Sequence, residues 1–329
     1  MGPIPAVWRI DVEPDEFPFP SSPGSWSGFV TMSELVRELR PRLADRSGMV
    51  GHPTWFFRFD PEIARAYGRA DFVVDRYQGL VDELRAHGDP FGIHIHYYRW
   101  NDRKQVVYSE HADVGWINRC FNVAAHTFER CFGERVRRSS QGGYFLDDAV
   151  VDRAVAVGVE VDVTAEPGLD ERSKDTTFGA YVTAPSPDFR GFPRRPYYPS
   201  TIAVGTPANS PETARRLLIV PLTAYDYRTS GYRRLAKRVM GRPRHYLPLN
   251  PFKGWSHPRI YWDLVARAAD EGPACYIAFA VRTDGADSES HHRVRALLEY
   301  LPSHPIAERL RFVDPLSSSI RALADAGIE

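Results

Sequence analysis

The sequence contains few cysteines and no long apolar run. Its three cysteines, Cys120, Cys131 and Cys275, are odd in number and fit no zinc-knuckle spacing, so a reducing compartment is favoured over a disulfide framework. No run of about 18 apolar residues is present, so no segment of it is expected to span a membrane. The first nine residues lack the charged start and apolar core of a secretion signal, and a cytoplasmic location is predicted.

The sequence also lacks an excess of either charge. Its 42 Lys and Arg residues balance 42 Asp and Glu residues, so bulk electrostatics do not favour a nucleic acid or an anionic membrane as partner. Hydrophobic residues make up 43% of the 329 positions, which is ordinary for a globular protein. The length suits one α/β barrel, so residues 1–329 are predicted to form a single domain, with the oligomeric state left open.

Segments typical of strands and helices alternate along the chain. The predicted strands cover residues 6–12, 54–59, 91–97, 159–163, 217–222, 274–281 and 310–312. The predicted helices cover residues 33–40, 75–86, 116–131, 147–157, 258–269 and 291–301, with a further helix within 232–240. Such alternation predicts a parallel sheet or barrel. Residues 166–210, which are rich in Pro, Arg, Tyr and Ser, interrupt it and are predicted to form a long loop excursion.

Two pairs of polar residues stand at predicted strand ends. Asp11 and Glu13 close the first strand, and His94 and His96 lie on the third. Alternate residues of a strand point to one face, and reactive residues of barrels lie where strands end, so the four side chains are expected to converge. Carboxylate and imidazole together suit Zn²⁺ and related divalent ions, which lower the pKa of a bound water toward about 7.

Each pair also has a purely structural interpretation. The acids could belong to a solvated turn, and the histidines could be one buried and one exposed residue. The occurrence of both pairs at strand ends of one α/β chain favours a site. In that site a carboxylate not bound to the ion would take the proton from water.

The order of these segments resembles the polysaccharide deacetylase (NodB-homology) family of carbohydrate esterases. The resemblance covers most of the chain and implies a distorted (β/α)7 barrel. Arg9-Ile10-Asp11-Val12-Glu13 is similar to the first family motif, D-x-D/E. Similar segments follow for the second strand (residues 54–57), the "GHEIGxHxH" strand (88–96), the arginine-glycine motif (138–144) and the next strand (158–164).

The resemblance implies a role for particular residues. Asp11 would be the catalytic base, and Glu13, His94 and His96 would bind a divalent metal, most simply zinc. Arg138 would orient Asp11 by a bidentate contact, although Arg137 is an alternative. Arg282 would stabilise an oxyanion electrostatically.

The sequence departs from the family in three places. Glu13 stands where the family more commonly has Asp as the metal-binding carboxylate, and Asp15 could compete for that role. Tyr98 stands four residues after His94, where the family has its second metal histidine. The late strand end, residues 279–284, contains no histidine to protonate a leaving group. The candidate replacements are His257, His291 and His292, and His111 is a conceivable third ligand.

Aromatic residues near the third strand and in the excursion could contact a sugar. Tyr98 and Trp100 are predicted to stack on sugar rings, with packing at the barrel rim as the alternative. Tyr198 lies in Pro196-Tyr197-Tyr198-Pro199-Ser200, which resembles a loop of cytoplasmic family members and is expected over the groove.

Three functions follow as hypotheses. The first is a metal-dependent hydrolase that removes an N- or O-acetyl group from a sugar, in glycan or surface-polysaccharide metabolism. The second is a catalytically degenerate barrel that binds carbohydrate during glycan assembly. The third is a C–N amidohydrolase acting on a small non-sugar substrate.

Overall fold

Parallel strands and connecting helices make up most of the chain. The computed structural model describes residues 2–16, 24–226, 246–252, 257–272, 274–285 and 288–326. The strands are β1 (Ile4–Val12), β2 (Thr54–Arg58), β3 (Phe91–Ile95), β4 (Tyr98–Asn101), β5 (Val106–Ser109), β6 (Arg138–Gln141), β7 (Val161–Asp162), β8 (Thr176–Phe178), β9 (Tyr181–Thr183), β10 (Leu218–Ile219), β11 (Ala224–Asp226), β12 (Tyr246–Pro248), β13 (Ile277–Arg282) and β14 (Leu310–Phe312). The helices are α1 (Ser27–Ser47), α2 (Pro61–Tyr67), α3 (Phe72–Arg76), α4 (Gln78–Ala86), α5 (Val114–Phe132), α6 (Asp148–Ala156), α7 (Pro258–Glu271), α8 (Glu289–Tyr300) and α9 (Ser318–Asp325).

The main sheet has the strand order β10-β7-β6-β3-β2-β1-β13, with β14 beside the start of β1. All of its pairings are parallel. Beyond β10, the backbone N–H of Leu222 donates to Ala165 O and that of Thr223 donates to Ala278 O, each at 2.8 Å. These bonds connect the β7 side of the sheet to β13. The result is the distorted (β/α)7 barrel predicted from the sequence.

One face of β1 passes from an apolar interior to a polar mouth. Val7 belongs to an apolar cluster inside the barrel, whereas Arg9, Asp11 and Glu13 follow it at every second position toward the carboxyl end. The opposite face, which includes Trp8, packs in the larger core shared with the helices. Because successive strand residues point to opposite faces, β1 itself delivers three charged side chains to one end of the barrel.

The predicted excursion at 166–210 is present and carries ordered strands. Strands β8 and β9 form an antiparallel hairpin, and β9 pairs in parallel with β5. With β4 they make a second, four-stranded sheet in the order β4-β5-β9-β8. Since β4 begins three residues after β3 ends, this small sheet adjoins the mouth of the barrel.

Two sequence-based predictions concern segments apart from the barrel. The helix predicted within 232–240 lies outside the described residues. In the part of the chain that the structure describes, no helix combines the length and the apolar composition needed to cross a membrane.

Candidate metal centre

Three potential metal ligands meet at the mouth of the barrel. The Nε2 atoms of His94 and His96 lie 3.0 Å apart. A carboxylate oxygen of Glu13 lies 3.5 Å from Nε2 of His94, and the other lies 3.1 Å from Nε2 of His96. All of these ligand atoms fall within 4.8 Å of one another.

The spacing of these atoms fits one shared ion. Two nitrogens bound to a single zinc ion at about 2.0–2.1 Å each, with tetrahedral geometry, are about 3.3–3.4 Å apart. The observed 3.0 Å between His94 and His96 is a few tenths of an ångström shorter, so a small movement of either ring would admit one ion. Glu13 completes a set of two imidazoles and one carboxylate. Three protein ligands are typical of catalytic zinc sites, where a fourth position is left for water or substrate.

Hydrogen bonds fix the orientation of His94. The hydroxyl of Ser140 donates to Asp11 Oδ1 at 2.9 Å, so its oxygen accepts from His94 Nδ1 at 2.7 Å. That arrangement places the proton of His94 on Nδ1 and leaves the lone pair of Nε2 directed at Glu13 and His96. Such outer hydrogen bonds orient metal-binding histidines and raise their basicity.

Arg9 holds Asp11 in its ionised form. The guanidinium donates to both carboxylate oxygens, at 2.8 and 2.6 Å, and also to Val163 O at 2.9 Å. Burial alone would raise the pKa of Asp11, but the charge of Arg9, the nearby His94 and the hydrogen bonds from Arg9 together outweigh it and lower the pKa. Asp11 is therefore a carboxylate at neutral pH, as a proton acceptor must be.

The expected contact between Arg138 and Asp11 is absent, and that prediction was wrong. Arg138 pairs with Asp314, with one contact at 2.8 Å, and donates to Phe91 O at 3.3 Å. In the sheet, Ser140 is the residue that pairs with His94. Arg138 lies two residues closer to the amino end of β6, away from the site at the carboxyl ends of the strands. Arg9 makes the bidentate contact instead.

His96 is positioned by two neighbours that are not ligands. Tyr98, at the position where the resembled family has a histidine, stacks on the His96 ring with a centroid distance of 5.0 Å and an interplanar angle of 17°. Gly142 packs directly against the imidazole of His96, and a Cβ added at position 142 would lie 2.3 Å from the Cδ2 atom of His96. The missing side chain of Gly142 gives the second histidine room to reach the first.

A buried arginine sets the charge of the cluster. Arg58 is 2% exposed, and its guanidinium lies within 3.8 Å of the Glu13 carboxylate. The same guanidinium also forms ion pairs with Asp60 and Glu62. Burial and the charge of Arg58 lower the pKa of His96 to about 4. Burial raises the pKa of Glu13, but the neighbouring imidazoles outweigh that effect and hold it well below the usual value. At neutral pH His96 is thus uncharged and Glu13 ionised, which are the ligand states that a metal requires.

A cleft of about 410 Å³ opens over the cluster. Tyr98 lines it, as predicted, together with Tyr144 and Phe252. Trp100 and Tyr198 are not among its lining residues. Trp100 packs beside the small sheet and donates to Asp102 at 2.7 Å, and Tyr198 packs against the interior cluster of the barrel. Their predicted contact with a sugar stays a prediction, since neither ring lines this cleft.

The late strand end supplies charged groups to the same cleft. Arg282 lines it, stacks over the Phe252 ring at 5.0 Å and lies 3.2 Å from Asp284 Oδ1. Burial raises the pKa of Asp284 to about 6, with the charges of Glu13 and Asp11 acting in the same direction and that of Arg282 opposing it. Asp284 was not predicted as a site residue, because the resembled family has a histidine rather than a carboxylate in this segment.

The other candidate histidines lie away from the cluster. His111 stacks on Phe145 with a centroid distance of 3.7 Å, its Nδ1 lies 3.1 Å from Pro185 O, and it is not part of the group formed by Glu13, His94 and His96. His257 caps α7 by accepting from Arg259 N, and His291 is buried in α8. Neither these residues nor His292 are among the described residues that line the cleft.

Sequence reasoning also missed Ser140 and Gly142. Both lie in the segment 138–144 that resembles the arginine-glycine motif, in which only Arg138 was predicted to be functional. The pairing of β6 with β3, which the sequence does not display, decides that Ser140 faces His94. Arg9 had a visible signal, because it precedes Asp11 and Glu13 at the same two-residue spacing.

No family model matches the sequence, and a search of curated proteins also gave no match. Solved structures are similar in fold. A protein from Parabacteroides distasonis assigned as a glycoside hydrolase/deacetylase aligns over 94% of this chain and 69% of its own, with TM-score 0.57 and 15% identity. A Mycobacterium smegmatis protein assigned as a polysaccharide deacetylase aligns over 98% of this chain and 92% of its own, with TM-score 0.50 and 11% identity. The resemblance inferred from the sequence is confirmed at the level of fold: this chain has the barrel of the polysaccharide deacetylases.

Proposed function

We propose that this protein is a metal-dependent deacetylase that hydrolyses an acetyl group on a sugar. The convergence of Glu13, His94 and His96 within 4.8 Å, at the floor of the cleft, carries the proposal. The likeness in fold to structures assigned as deacetylases supports it. A divalent ion held by these residues, zinc in the first instance, would activate water and polarise the acetyl carbonyl.

The surrounding residues have distinct roles in this proposal. Asp11, kept ionised by Arg9, accepts the proton of the attacking water. Ser140 holds His94 in the tautomer that exposes Nε2. Arg282 lies at the rim of the cleft, where its charge stabilises the oxyanion that forms when water adds to the carbonyl.

The lining of the cleft suits a carbohydrate. Tyr98, Tyr144 and Phe252 offer aromatic surface, on which the C–H faces of sugar rings pack. Asn250, Glu166 and Arg172 add polar groups that can orient hydroxyls. A mixture of aromatic and polar groups around a metal-ligand cluster favours an acetylated sugar over a purely apolar substrate.

Acetate release from N-acetylhexosamine oligomers tests the proposal directly. Zinc-loaded protein should release acetate, and chelation of the metal should abolish the reaction. His94→Ala and Glu13→Ala should each lose bound metal and activity together. His126→Ala is the matched control, because His126 lies on α5 beside a different surface hollow.

Two other outcomes would replace the proposal. The carbohydrate-binding alternative would be favoured if the protein binds glycans without metal and still releases no acetate after it has been loaded with any divalent ion. Turnover of small non-sugar amides without turnover of acetylated sugars would favour the amidohydrolase alternative.

A further inference from the structure

Hydrolysis of an amide needs a second proton-transfer group, because the departing nitrogen must be protonated as the C–N bond breaks. Resting on the proposed deacetylase function, we infer that Asp284 is this group and donates its proton to the leaving amine. The carboxyl groups that line the cleft differ in the residues that their oxygen atoms contact.

The pairing of β1 with β13 places Asp284 beside the cluster. Arg282 is the register partner of Asp11 in the parallel pair. The next residue, Thr283, is fixed to Glu13 by two hydrogen bonds, from Glu13 N at 2.8 Å and to Glu13 O at 2.9 Å. Since alternate residues share a face, Asp284 follows Arg282 on the side that carries Asp11 and Glu13.

A further backbone bond holds the segment in place. Gly285 N donates to Asp15 O at 3.0 Å, immediately after Asp284. Asp284 therefore lies between two anchored residues, Thr283 and Gly285, and lines the cleft with the ligand cluster. A proton donor must be held in this way if it is to reach one atom of a bound substrate.

The surroundings of Asp284 leave its carboxyl group available. Oδ1 is buried and has no hydrogen-bond partner among the described residues, because Arg282 Nε at 3.2 Å makes a charge contact without hydrogen-bond alignment. The side chain of Asp284 as a whole is 30% exposed. Because Oδ1 is buried, the exposed surface is that of the other side-chain atoms. Burial together with the negative charges of Glu13 and Asp11 raises its pKa to about 6, which keeps part of the population protonated near neutral pH.

The other acids of the cleft are committed elsewhere. Asp11 is ionised by Arg9 and accepts from Ser140. Glu13 is a member of the ligand set. Glu166 lies near enough to Arg9 to raise the pKa of that guanidinium. Asp284 is thus the carboxyl group of the cleft with a proton to give.

The proton balance of the reaction closes with these two groups. The water oxygen forms a bond to the acetyl carbon as the carbonyl double bond opens; one water proton passes to Asp11 and the other stays on the added oxygen. The C–N bond then breaks as the carbonyl re-forms, and the nitrogen takes the proton of Asp284 to leave as an amine. The acetic acid gives its proton to the amine or to solvent and departs as acetate, Asp11 returns its proton to solvent, and Asp284 is reprotonated from solvent.

Leaving groups of different basicity test this assignment. Asp284→Asn should lower kcat/KM for a chitooligosaccharide by about 10²- to 10⁴-fold, the usual contribution of a positioned acid. The metal-dependent hydrolysis of 4-nitrophenyl acetate should change only a few-fold, because nitrophenolate departs without a proton. Asp284→Glu should restore part of the amide activity, and zinc content should remain that of the wild type.

Asp11→Asn is the matched control for a carboxylate of the same cleft: because Asp11 accepts the proton of the attacking water in both reactions, this variant should slow the hydrolysis of both substrates to a similar extent. Equal losses on both substrates for Asp284→Asn, or no loss on the amide, would overturn the inference and leave the proposed function intact. A wild-type protein that releases acetate from neither substrate would instead refute the proposed function, and the inference with it.

Discussion

Gly142 lies against the imidazole of His96 so closely that a Cβ at position 142 would come within 2.3 to 2.5 Å of three ring atoms. Gly142→Ala must therefore displace the ring from the Nε2 atom of His94. Because a metal site depends on ligand positions, we expect zinc affinity to fall by about 10- to 100-fold, as for loss of an outer-shell contact. Competition with a chromophoric chelator measures the change.

The control is Gly79→Ala in α4, where nothing lies within 4 Å of the added methyl group. Alanine is favoured over glycine inside a helix by about 1 kcal/mol, so that variant should be slightly more stable and bind zinc as the wild type does. Undiminished zinc affinity in Gly142→Ala would show that His96 is not a ligand.

Ser140→Ala removes the hydroxyl that links Asp11 to His94. Without it, His94 Nδ1 loses its 2.7 Å partner and the tautomer that exposes Nε2 is no longer enforced. We expect weaker zinc binding, by about 10- to 100-fold, with the barrel still folded. Isothermal titration with zinc quantifies the loss.

Ser139→Ala is a close control, since Ser139 is equally buried but donates to Asp162 at 2.7 Å. It should cost stability and spare zinc binding. Similar zinc affinities in the two variants would show that the hydrogen bond to His94 does not support the metal.

Arg9→Gln and Arg138→Gln separate the arginine that contacts Asp11 in the structure from the arginine that was predicted to do so. Removing Arg9 leaves Asp11 buried without its cation, which should lower the free energy of unfolding by about 3–5 kcal/mol and weaken zinc binding through Ser140 and His94. Arg138→Gln breaks the pair with Asp314 and the hydrogen bond to Phe91 O, both away from the ligand cluster, and should leave zinc affinity unchanged. Urea unfolding and zinc titration of both variants decide the matter, and the opposite ranking would restore Arg138 to the site.

The part of the site that the sequence predicted rests on local rules. Asp11 with Glu13 and His94 with His96 alternate at strand ends, and alternation alone makes each pair share a face. The choice between Arg138 and Ser140 depends instead on how β6 pairs with β3. Because strands rise about 3.3 Å per residue, two residues displace Arg138 from the site by about 6–7 Å.

Helix α1 shows a similar limit in the fold. A helix was predicted over residues 33–40, whereas the helix covers Ser27–Ser47. The Ser33 hydroxyl donates to Phe29 O one turn earlier, which is a bond of the helix interior. The helix also continues past Pro41, where buried Leu43 packs in the core. Tertiary packing extends α1 beyond the boundaries that local signals indicate.

The ionised Asp284 side chain should lower the free energy of unfolding. Its folded-state pKa of about 6 lies above the ordinary 3.8, so folding is disfavoured wherever the folded carboxyl group is ionised. The penalty is absent below pH 3.8, where both states are protonated, and is fully present above about pH 6. Asp284→Asn removes the charge, so metal-free variant protein should gain roughly 1–3 kcal/mol at pH 8, allowing for the exposure of the side chain.

Chemical unfolding of metal-free wild type and Asp284→Asn between pH 8 and pH 5 measures this effect, and the gain should shrink as the pH falls through 6. Asp15→Asn is the matched control of opposite sign. Although burial raises the pKa of Asp15, hydrogen bonds from Ser25, Ser27 and Gly28 lower it overall, so its ionised form stabilises the fold and the variant should be less stable at pH 8. A stability gain for Asp284→Asn that does not vary with pH would contradict the raised pKa, since an uncharged packing effect has no proton linkage.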